Sequence, residues 1–281
     1  MIEAMHLSSI WQYPVKSMIG GEVSSGELGP LGLSGDRAWA ARDEVRGSVQ
    51  GARRIGGLMR LAASATSDGG VTITLPDGST VHSGDADVNE RLSAAVDHPV
   101  TLWPLQAADN LDYYRRGAGD GDDMVADLRG IFGREDDEPL PDFNVFPPSI
   151  MEFESPPGSH VDAYPLMLMT TSSRRALAEA LPDSNLDIRR FRPNLVVDTG
   201  DAPGHPEFDW VGREIRIGGT RLQIAAACPR CVMITREIDA NVPADRAILR
   251  HVVRDLNQNV GVYATITHGG PISVGDAVTV S

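Results

Sequence analysis

The sequence has 281 residues, 41% of them hydrophobic, and a formal net charge of −14. This composition supports one large domain or two ordinary ones and excludes wholesale disorder. The acidic charge argues against nucleic acid or an anionic membrane as partner, because both repel such a surface. The sequence shows neither an apolar run long enough to span a bilayer nor the pattern of a signal peptide. Two cysteines do not make a disulfide scaffold, so we expect a cytoplasmic protein with reduced thiols.

The first hundred residues are predicted to be mostly β-structure. Short apolar segments are separated by Gly and Pro, and Pro76-Asp77-Gly78 after one of them indicates a hairpin. Many short strands at regular spacing are typical of a barrel or a sandwich. The predicted strands lie at residues 6–13, 22–28, 37–42, 71–75 and 100–103, with a short helix at 87–95.

Lys16 is the only lysine among 25 basic residues, and the other 24 are arginines. A coding bias toward arginine explains most of this imbalance. Lysine nevertheless provides a compact point charge where arginine provides a planar fork. A specific anion held by Lys16 is therefore an open alternative.

Residues 106–143 carry 11 acidic and 4 basic residues, which is half of the net charge of the chain. Helical spacing predicts a helix at 124–132, and residues 117–123 are predicted to form an exposed loop. A solvated linker is the first interpretation of so long a stretch. The run Tyr113-Tyr114-Arg115-Arg116 keeps a lid over a site as an alternative.

Two features in the second half of the chain are suited to an anion. Thr170 and Ser173 lie between a predicted strand at 165–169 and a helix at 174–181, where hydroxyls either cap the helix or bind an anion. The run 189–192 holds three arginines before a predicted strand, and it is either a solvated basic face or a phosphate site. A helix at 243–256 and strands at 263–267 and 277–280 complete the predicted elements.

Both cysteines lie in Cys228-Pro229-Arg230-Cys231, between predicted strands at 214–224 and 232–235. A redox dithiol normally opens a helix, and the strand-like residues that follow do not provide one. A zinc site needs two further ligands, and no other cysteine or His-x-x-x-His pair supplies them. Two interpretations remain. One is a single thiolate that ligates a soft metal carried by an anionic cofactor. The other is a buried and inert pair of cysteines.

At these residues the chain resembles the MOSC-domain proteins, named for the C-terminal domain of molybdenum cofactor sulfurase. The N-terminal part is similar to the β-barrel module of that family through Tyr13-Pro14-Val15-Lys16-Ser17 and 35–39. The C-terminal part is similar to the MOSC domain itself through 162–166, Arg190-Phe191-Arg192-Pro193-Asn194 and the cysteine motif. The resemblance is closest to the two-part kind that includes the mitochondrial amidoxime reducing component and bacterial relatives.

The resemblance implies an α+β, β-rich fold, a β-barrel-like MOSC fold with an N-terminal β-barrel module and a few short helices. It divides the chain into that module at 1–105, an acidic linker or lid at 106–143 and a MOSC domain at 144–281. It also implies that Cys231 ligates molybdenum and that a set of polar residues holds the pterin cofactor. These residues are Lys16, Ser17, Arg192 and Asn194, with Arg37, Thr170, Ser173 and Arg230 as weaker assignments.

The implied activity is that of a molybdenum-cofactor-dependent oxidoreductase that reduces N-hydroxylated or N-oxide-type small molecules. No cysteines remain for an iron–sulfur cluster, so we expect electrons from a separate protein. Two alternatives stay open, a sulfur carrier or cofactor-handling protein with a Cys231 persulfide and a non-catalytic cofactor-binding module. The family is also associated, at family level only, with pyridoxal phosphate.

Overall fold

The computed structural model describes residues 5–117 and 123–281. It confirms a β-rich fold with a few short helices. The strands are β1 His6–Gln12, β2 Gly21–Val23, β3 Ser25–Gly29, β4 Gly32–Leu33, β5 Trp39–Asp43, β6 Ser48–Val49, β7 Ala62–Ala65, β8 Val71–Thr74, β9 Thr80–His82, β10 Val100–Pro104, β11 Leu166–Thr170, β12 Leu195–Asp198, β13 Glu214–Ile217, β14 Thr220–Pro229, β15 Asn259–His268, β16 Gly270–Ser273 and β17 Val278–Val280. The α-helices are α1 Val88–Val96, α2 Leu111–Tyr114, α3 Met124–Phe132, α4 Thr171–Ala180, α5 Ile188–Phe191 and α6 Arg246–Asp255. Short 3₁₀ helices cover Gly56–Arg60, Phe143–Val145, Pro148–Met151, Pro206–Trp210 and Val232–Thr235.

The largest sheet has eight strands in the order β17-β13-β14-β15-β11-β12-β1-β2. Neighbouring strands run antiparallel except β11 and β12, which are parallel. A parallel pair needs a crossover connection, and α4 and α5 provide it. The sheet therefore joins β1 and β2, from the start of the chain, to strands of its second half.

Three small sheets complete the fold, with strand orders β10-β5-β6, β16-β3-β4 and β7-β8-β9. The second of them again pairs an N-terminal strand, β3, with a C-terminal one, β16. The predicted boundary at residue 105 thus separates segments that share two sheets. The division into 1–105, 106–143 and 144–281 remains a prediction.

The cysteine motif connects two of the three apolar cores. One core packs N-terminal side chains such as Met18 and Leu58 against Met233, with Cys231 at its edge. Another includes Cys228 and the buried face of α6. The four-residue motif therefore lies where the N-terminal and C-terminal halves of the chain meet.

The predicted strand at Val232–Thr235 is wrong, because these residues form a 3₁₀ helix that begins directly after Cys231. The N–H of Arg236 donates to the carbonyl of Met233 over 3.0 Å, and the Thr235 hydroxyl donates to the carbonyl of Val232 over 2.8 Å. Met233 and Ile234 are buried in the turn. Packing of these apolar side chains overrides the β-preference of the branched residues.

The predicted helix at 124–132 coincides with α3. Its N-terminus is capped by the Asp123 carboxylate, which accepts from the N–H groups of Val125 and Ala126. Its C-terminus ends at Gly133, which takes a left-handed φ of 62°. The predicted loop at 117–123 lies outside the described residues except for Gly117 and Asp123. In the described part of the chain, the helices are all too short or too polar to cross a membrane.

Candidate active site between two cavities

Cys231 lies at the junction of two cavities of different character. The first, here called the apolar cavity, has a volume of about 320 Å³. The second, here called the basic cavity, has a volume of about 80 Å³. Both are lined by Asp162, Ala163, Pro229, Cys231 and Tyr263. A further cavity of about 500 Å³, beside Arg53 and Arg54, does not include Cys231.

The environment of Cys231 keeps its sulfur protonated at neutral pH. Burial raises the pKa of the thiol, and the opposing effects of Arg53, the Met233 N–H and Arg230 do not overcome it. A metal ion takes the place of the proton on a coordinating thiol. The sulfur is therefore not a free thiolate nucleophile at neutral pH, and a bound metal ion would have to displace its proton.

Arg230 joins the first cysteine of the motif to the rest of the core. Its Nη1 lies 3.1 Å from the Sγ of Cys228, and its Nη2 donates to the carbonyl of Phe191 over 2.7 Å. Its buried Nε has no hydrogen-bond partner among the residues that the structure describes. Cys228 is thus a buried support for Arg230, and Arg230 retains one unused donor beside the basic cavity.

Arg192 contributes a second unused donor to the basic cavity. It takes a left-handed φ of 56° directly after α5, and its guanidinium lies 4.1 Å from the centre of the Tyr13 ring. Its Nη1 donates to the carbonyl of Met18, and its Nη2 is buried without a partner in the described chain. Burial and the nearby Arg37 lower the pKa of Arg192 to about 10, so it still carries a charge at neutral pH.

Arg37 and Asn194 complete the polar lining of the basic cavity. Arg37 has a φ of 49° and forms an ion pair with Asp36, and its Nη1 lies 3.4 Å from the Oδ1 of Asn194. Asn194 is fully buried, and its N–H donates to the carbonyl of Met167 over 2.8 Å. The structure therefore brings four of the predicted cofactor residues to one cavity, namely Arg37, Arg192, Asn194 and Arg230.

Lys16 and Ser17 lie near this site but line neither cavity. The ammonium of Lys16 donates to Asp162 Oδ1 over 2.6 Å and to the carbonyl of His160 over 2.8 Å. Burial lowers the pKa of Lys16, while Asp162 opposes that effect. Ser17 has a φ of 68°, and its hydroxyl lies against Gly51, where a Cβ would come within 2.7 Å of it. Lys16 therefore acts on the site through Asp162.

Thr170 and Ser173 are the predicted residues that the structure does not bring to Cys231. The Thr170 hydroxyl donates to Glu207 Oε2 over 2.8 Å, and Ser173 donates to the other oxygen of the same carboxylate. His205 Nδ1 lies 2.9 Å from the Ser173 hydroxyl. Thr170 also caps α4 by accepting from the Ser173 N–H. These hydroxyls belong to a separate buried network and line neither the apolar nor the basic cavity.

Sequence reasoning missed Arg53 and Asp162, which flank Cys231. Arg53 Nη2 lies 3.6 Å from Asp162 Oδ1 and 3.7 Å from a carboxylate oxygen of Glu154. Burial raises the pKa of Asp162, but Lys16 and Arg53 outweigh it and hold that pKa well below its usual range. Arg53 follows a loop with no recognisable motif. Asp162 is the first residue of the 162–166 motif, which supports the family resemblance without indicating a role for this carboxylate.

Two family models match the chain in succession. The MOSC N-terminal beta barrel domain matches residues 4–114, and the MOSC domain matches residues 157–279. Together they cover both sides of the site described above. The chain therefore belongs to the MOSC-domain proteins.

Curated relatives include mitochondrial amidoxime reducing component 2 of Homo sapiens, which is 27% identical over 137 residues. Mitochondrial amidoxime-reducing component 1 of Xenopus laevis is 28% identical over 132 residues. Each match covers 43% of this chain, and the matched part spans only 38% and 37% of the two relatives. Among solved structures, the YUAD protein of Bacillus subtilis is 10% identical with a TM-score of 0.45, over 99% of this chain and 95% of that one.

Proposed function

We propose that this protein is a molybdenum-cofactor-dependent reductase of N-hydroxylated small molecules, with the Cys231 thiolate as the metal ligand. The observation that carries the proposal is the position of Cys231 between a basic cavity and an apolar one. The first suits the anionic group of a cofactor and the second suits a substrate. The names of the curated relatives, which are amidoxime reducing components, support the same activity.

The residues present fit an anionic cofactor that brings its own metal. The described residues contain no group of three or more His, Cys, Asp or Glu side chains that could hold a metal ion alone. A single thiolate suffices if a cofactor supplies the other ligands. Arg192 Nη2 and Arg230 Nε are buried donors without partners in the described chain, and such donors are costly unless a ligand satisfies them. The 80 Å³ between them is roughly the space of two or three waters, enough for an oxyanion-sized group.

Backbone strain at the same residues supports this assignment. Six non-glycine residues of the described chain have a positive φ, and Ser17, Arg37 and Arg192 are three of them. Each such conformation costs about 1 to 3 kcal/mol, and such residues cluster at functional sites. Arg37 and Arg192 line the basic cavity, whereas Ser17 lies outside it, next to Lys16 in the chain.

Reduction of an N-hydroxylated compound breaks the N–O bond. It consumes two electrons and two protons, and it yields the amine or amidine and one water. When bound, the cofactor supplies the two-electron redox chemistry. The protein's own part is to hold the metal through Cys231, to hold the anionic group through Arg192 and Arg230, and to shield the reacting group from bulk water. Asp162 stays ionised at neutral pH and fixes Arg53 beside the sulfur.

We assign the electrons to a separate electron-transfer protein and the reaction to the cytoplasm. The net charge of −14 disfavours nucleic acid and anionic membranes as partners. The substrate is a small molecule, since the apolar cavity of about 320 Å³ lies at the lower end of the range for small-molecule pockets.

The experiment is reduction of an N-hydroxylated amidine by purified protein with a chemical electron donor, with the amidine product quantified. We expect turnover by the wild type and by Cys228→Ser, and none by Cys231→Ser. Equal turnover by Cys231→Ser would overturn the proposal. If the wild type is inactive and instead accepts sulfur from a persulfide donor at Cys231, the chain is a sulfur carrier.

A further inference from the structure

The segment between the two family matches, residues 115–156, supplies one wall of the apolar cavity. Most of the side chains that it contributes are apolar and lie along α3 and the stretch of the two 3₁₀ helices after it, while Arg116, Asp127 and Glu154 of the same segment are charged. The apolar side chains within the described residues are Met124, Leu128, Ile131, Phe132, Phe143, Phe146, Ile150 and Met151. Part of the acidic stretch 106–143, which suggested a solvated linker, therefore lines the same cavity as Cys231 with apolar side chains.

The wall is fastened to the rest of the protein on both sides of the cavity. Arg54 donates to both carboxylate oxygens of Asp127 on α3, over 2.8 and 2.6 Å. Arg134 Nη2 donates to the carbonyl of Arg230, inside the cysteine motif, over 3.0 Å. The buried Glu138 forms an ion pair with Arg250 of α6. These contacts attach α3 and the residues just after it to both the N-terminal and the C-terminal parts of the chain.

The aromatic side chains of the wall form a continuous surface. The ring centres of Phe132 and Phe143 are 5.8 Å apart, and the two ring planes meet at 77°. The ring centres of Phe143 and Phe146 are 6.2 Å apart. Edge-to-face and tilted pairs at these distances are favourable. The same cavity is also lined by the ion-paired Arg53 and Asp162 and by Cys231. The cavity thus combines an apolar aromatic surface with charged groups and the thiol.

We propose that this wall makes the protein selective for N-hydroxylated compounds with an aromatic or branched apolar body. The body packs against Phe143 and Phe146, and the N-hydroxyl group points toward Cys231. This inference rests on the proposed function for its chemistry, but the wall itself binds the apolar body whether or not a reaction follows. Residues 115–156, which lie between the two family matches, then act as a specificity element.

The test compares an aryl with a methyl substrate, benzamidoxime and acetamidoxime, in wild type, Phe143→Ala and Phe146→Ala. Phe153→Ala is the matched control, because Phe153 is a buried aromatic of the same segment that does not line the cavity. We expect the wall variants to lower the aryl-to-methyl ratio of kcat/KM by about tenfold, since apolar contacts discriminate on that scale. The control keeps the wild-type ratio. An unchanged ratio in both wall variants would overturn the inference.

A binding arm separates failure of the wall from failure of the reductase proposal. Calorimetric titration of benzamidoxime into the full-length protein, without an electron donor, measures binding in the absence of turnover. Binding that weakens about tenfold in Phe146→Ala but not in Phe153→Ala supports the wall even if no reduction occurs. Absence of binding in the wild type, or equal binding in all variants, overturns the inference. Thermal unfolding of each variant shows that it is folded.

Discussion

The ammonium of Lys16 lies 2.6 Å from Asp162 Oδ1, and this pair joins the only lysine of the chain to a carboxylate that lines both cavities. Lys16 also donates to the carbonyl of His160 and to Ser155 Oγ, so all of its donors point to protein groups. Lys16 therefore fixes Asp162, which lines both cavities together with the Cys231 thiol. We propose that Lys16 contributes to cofactor binding through Asp162.

Replacement of this lysine tests that relationship. We expect Lys16→Met to lower the free energy of unfolding by about 1 to 3 kcal/mol, because it removes buried hydrogen bonds to a charged donor. Urea unfolding at neutral pH measures the change. The matched control is Arg60→Met, which removes a half-exposed ion pair with Glu237 at 3.5 Å and costs less than about 1 kcal/mol. Equal losses in the two variants would contradict the role of Lys16.

His160 predicts a pH dependence of stability. Burial, and then the charge of Lys16, lower the pKa of His160 to about 3. In the unfolded chain the pKa is about 6.5, so between these values only the unfolded state binds the proton. Stability is therefore lost as the pH falls below about 6.5, by about 1.4 kcal/mol per pH unit from this group. Urea unfolding at several pH values should show this slope in the wild type and a shallower one in His160→Gln. Parallel curves would contradict it.

Arg192 predicts a loss of cofactor without a loss of the fold. We expect Arg192→Gln to lower retention of molybdenum and pterin after dialysis by about tenfold, which corresponds to one charge-assisted hydrogen bond of about 1.4 kcal/mol. Arg189→Gln is the control, chosen from the same arginine-rich stretch 189–192. Arg189 pairs with Asp187 and Asp239 and lines neither cavity at Cys231. Equal retention in the two variants would contradict the assignment of the basic cavity.

For Ser173 we expect the reverse of Arg192, a loss of stability without a loss of cofactor. Its hydroxyl is committed to Glu207, a fully buried carboxyl whose pKa is raised by burial. Removal of the hydroxyl in Ser173→Ala should cost about 1 to 3 kcal/mol of stability and leave the molybdenum content unchanged. Thermal unfolding and metal analysis on the same sample decide between the two roles. Loss of molybdenum at unchanged stability would return Ser173 to the cofactor site.

Local signals in the sequence were sufficient where an element is specified by its own residues. Helical spacing predicted α3 with its observed bounds, and the structure shows Asp123 capping one end and Gly133 ending the other. The 3₁₀ helix at Val232–Thr235 was missed because the burial of Met233 and Ile234, a tertiary effect, decides its conformation. β-branched composition alone favours a strand there.

The candidate site was predictable to the extent that motifs mark it. Arg37, Arg192, Asn194 and Arg230 line one cavity with Cys231, as their shared resemblance implied they would serve one group. Arg53 lines the apolar cavity with Cys231 because of how its loop packs. The apolar wall lies partly within the acidic stretch. Neither leaves a pattern in the sequence, because both arise from contacts between distant parts of the chain.

The most direct test of the central claim is the molybdenum content of protein purified from a host that makes the cofactor. It compares wild type, Cys231→Ser and Cys228→Ser, with pterin measured on the same samples. Near-stoichiometric molybdenum in the wild type and in Cys228→Ser, and its loss in Cys231→Ser, is the predicted result. Absence of molybdenum from the wild type, or equal content in Cys231→Ser, would contradict the assignment of Cys231 as the metal ligand.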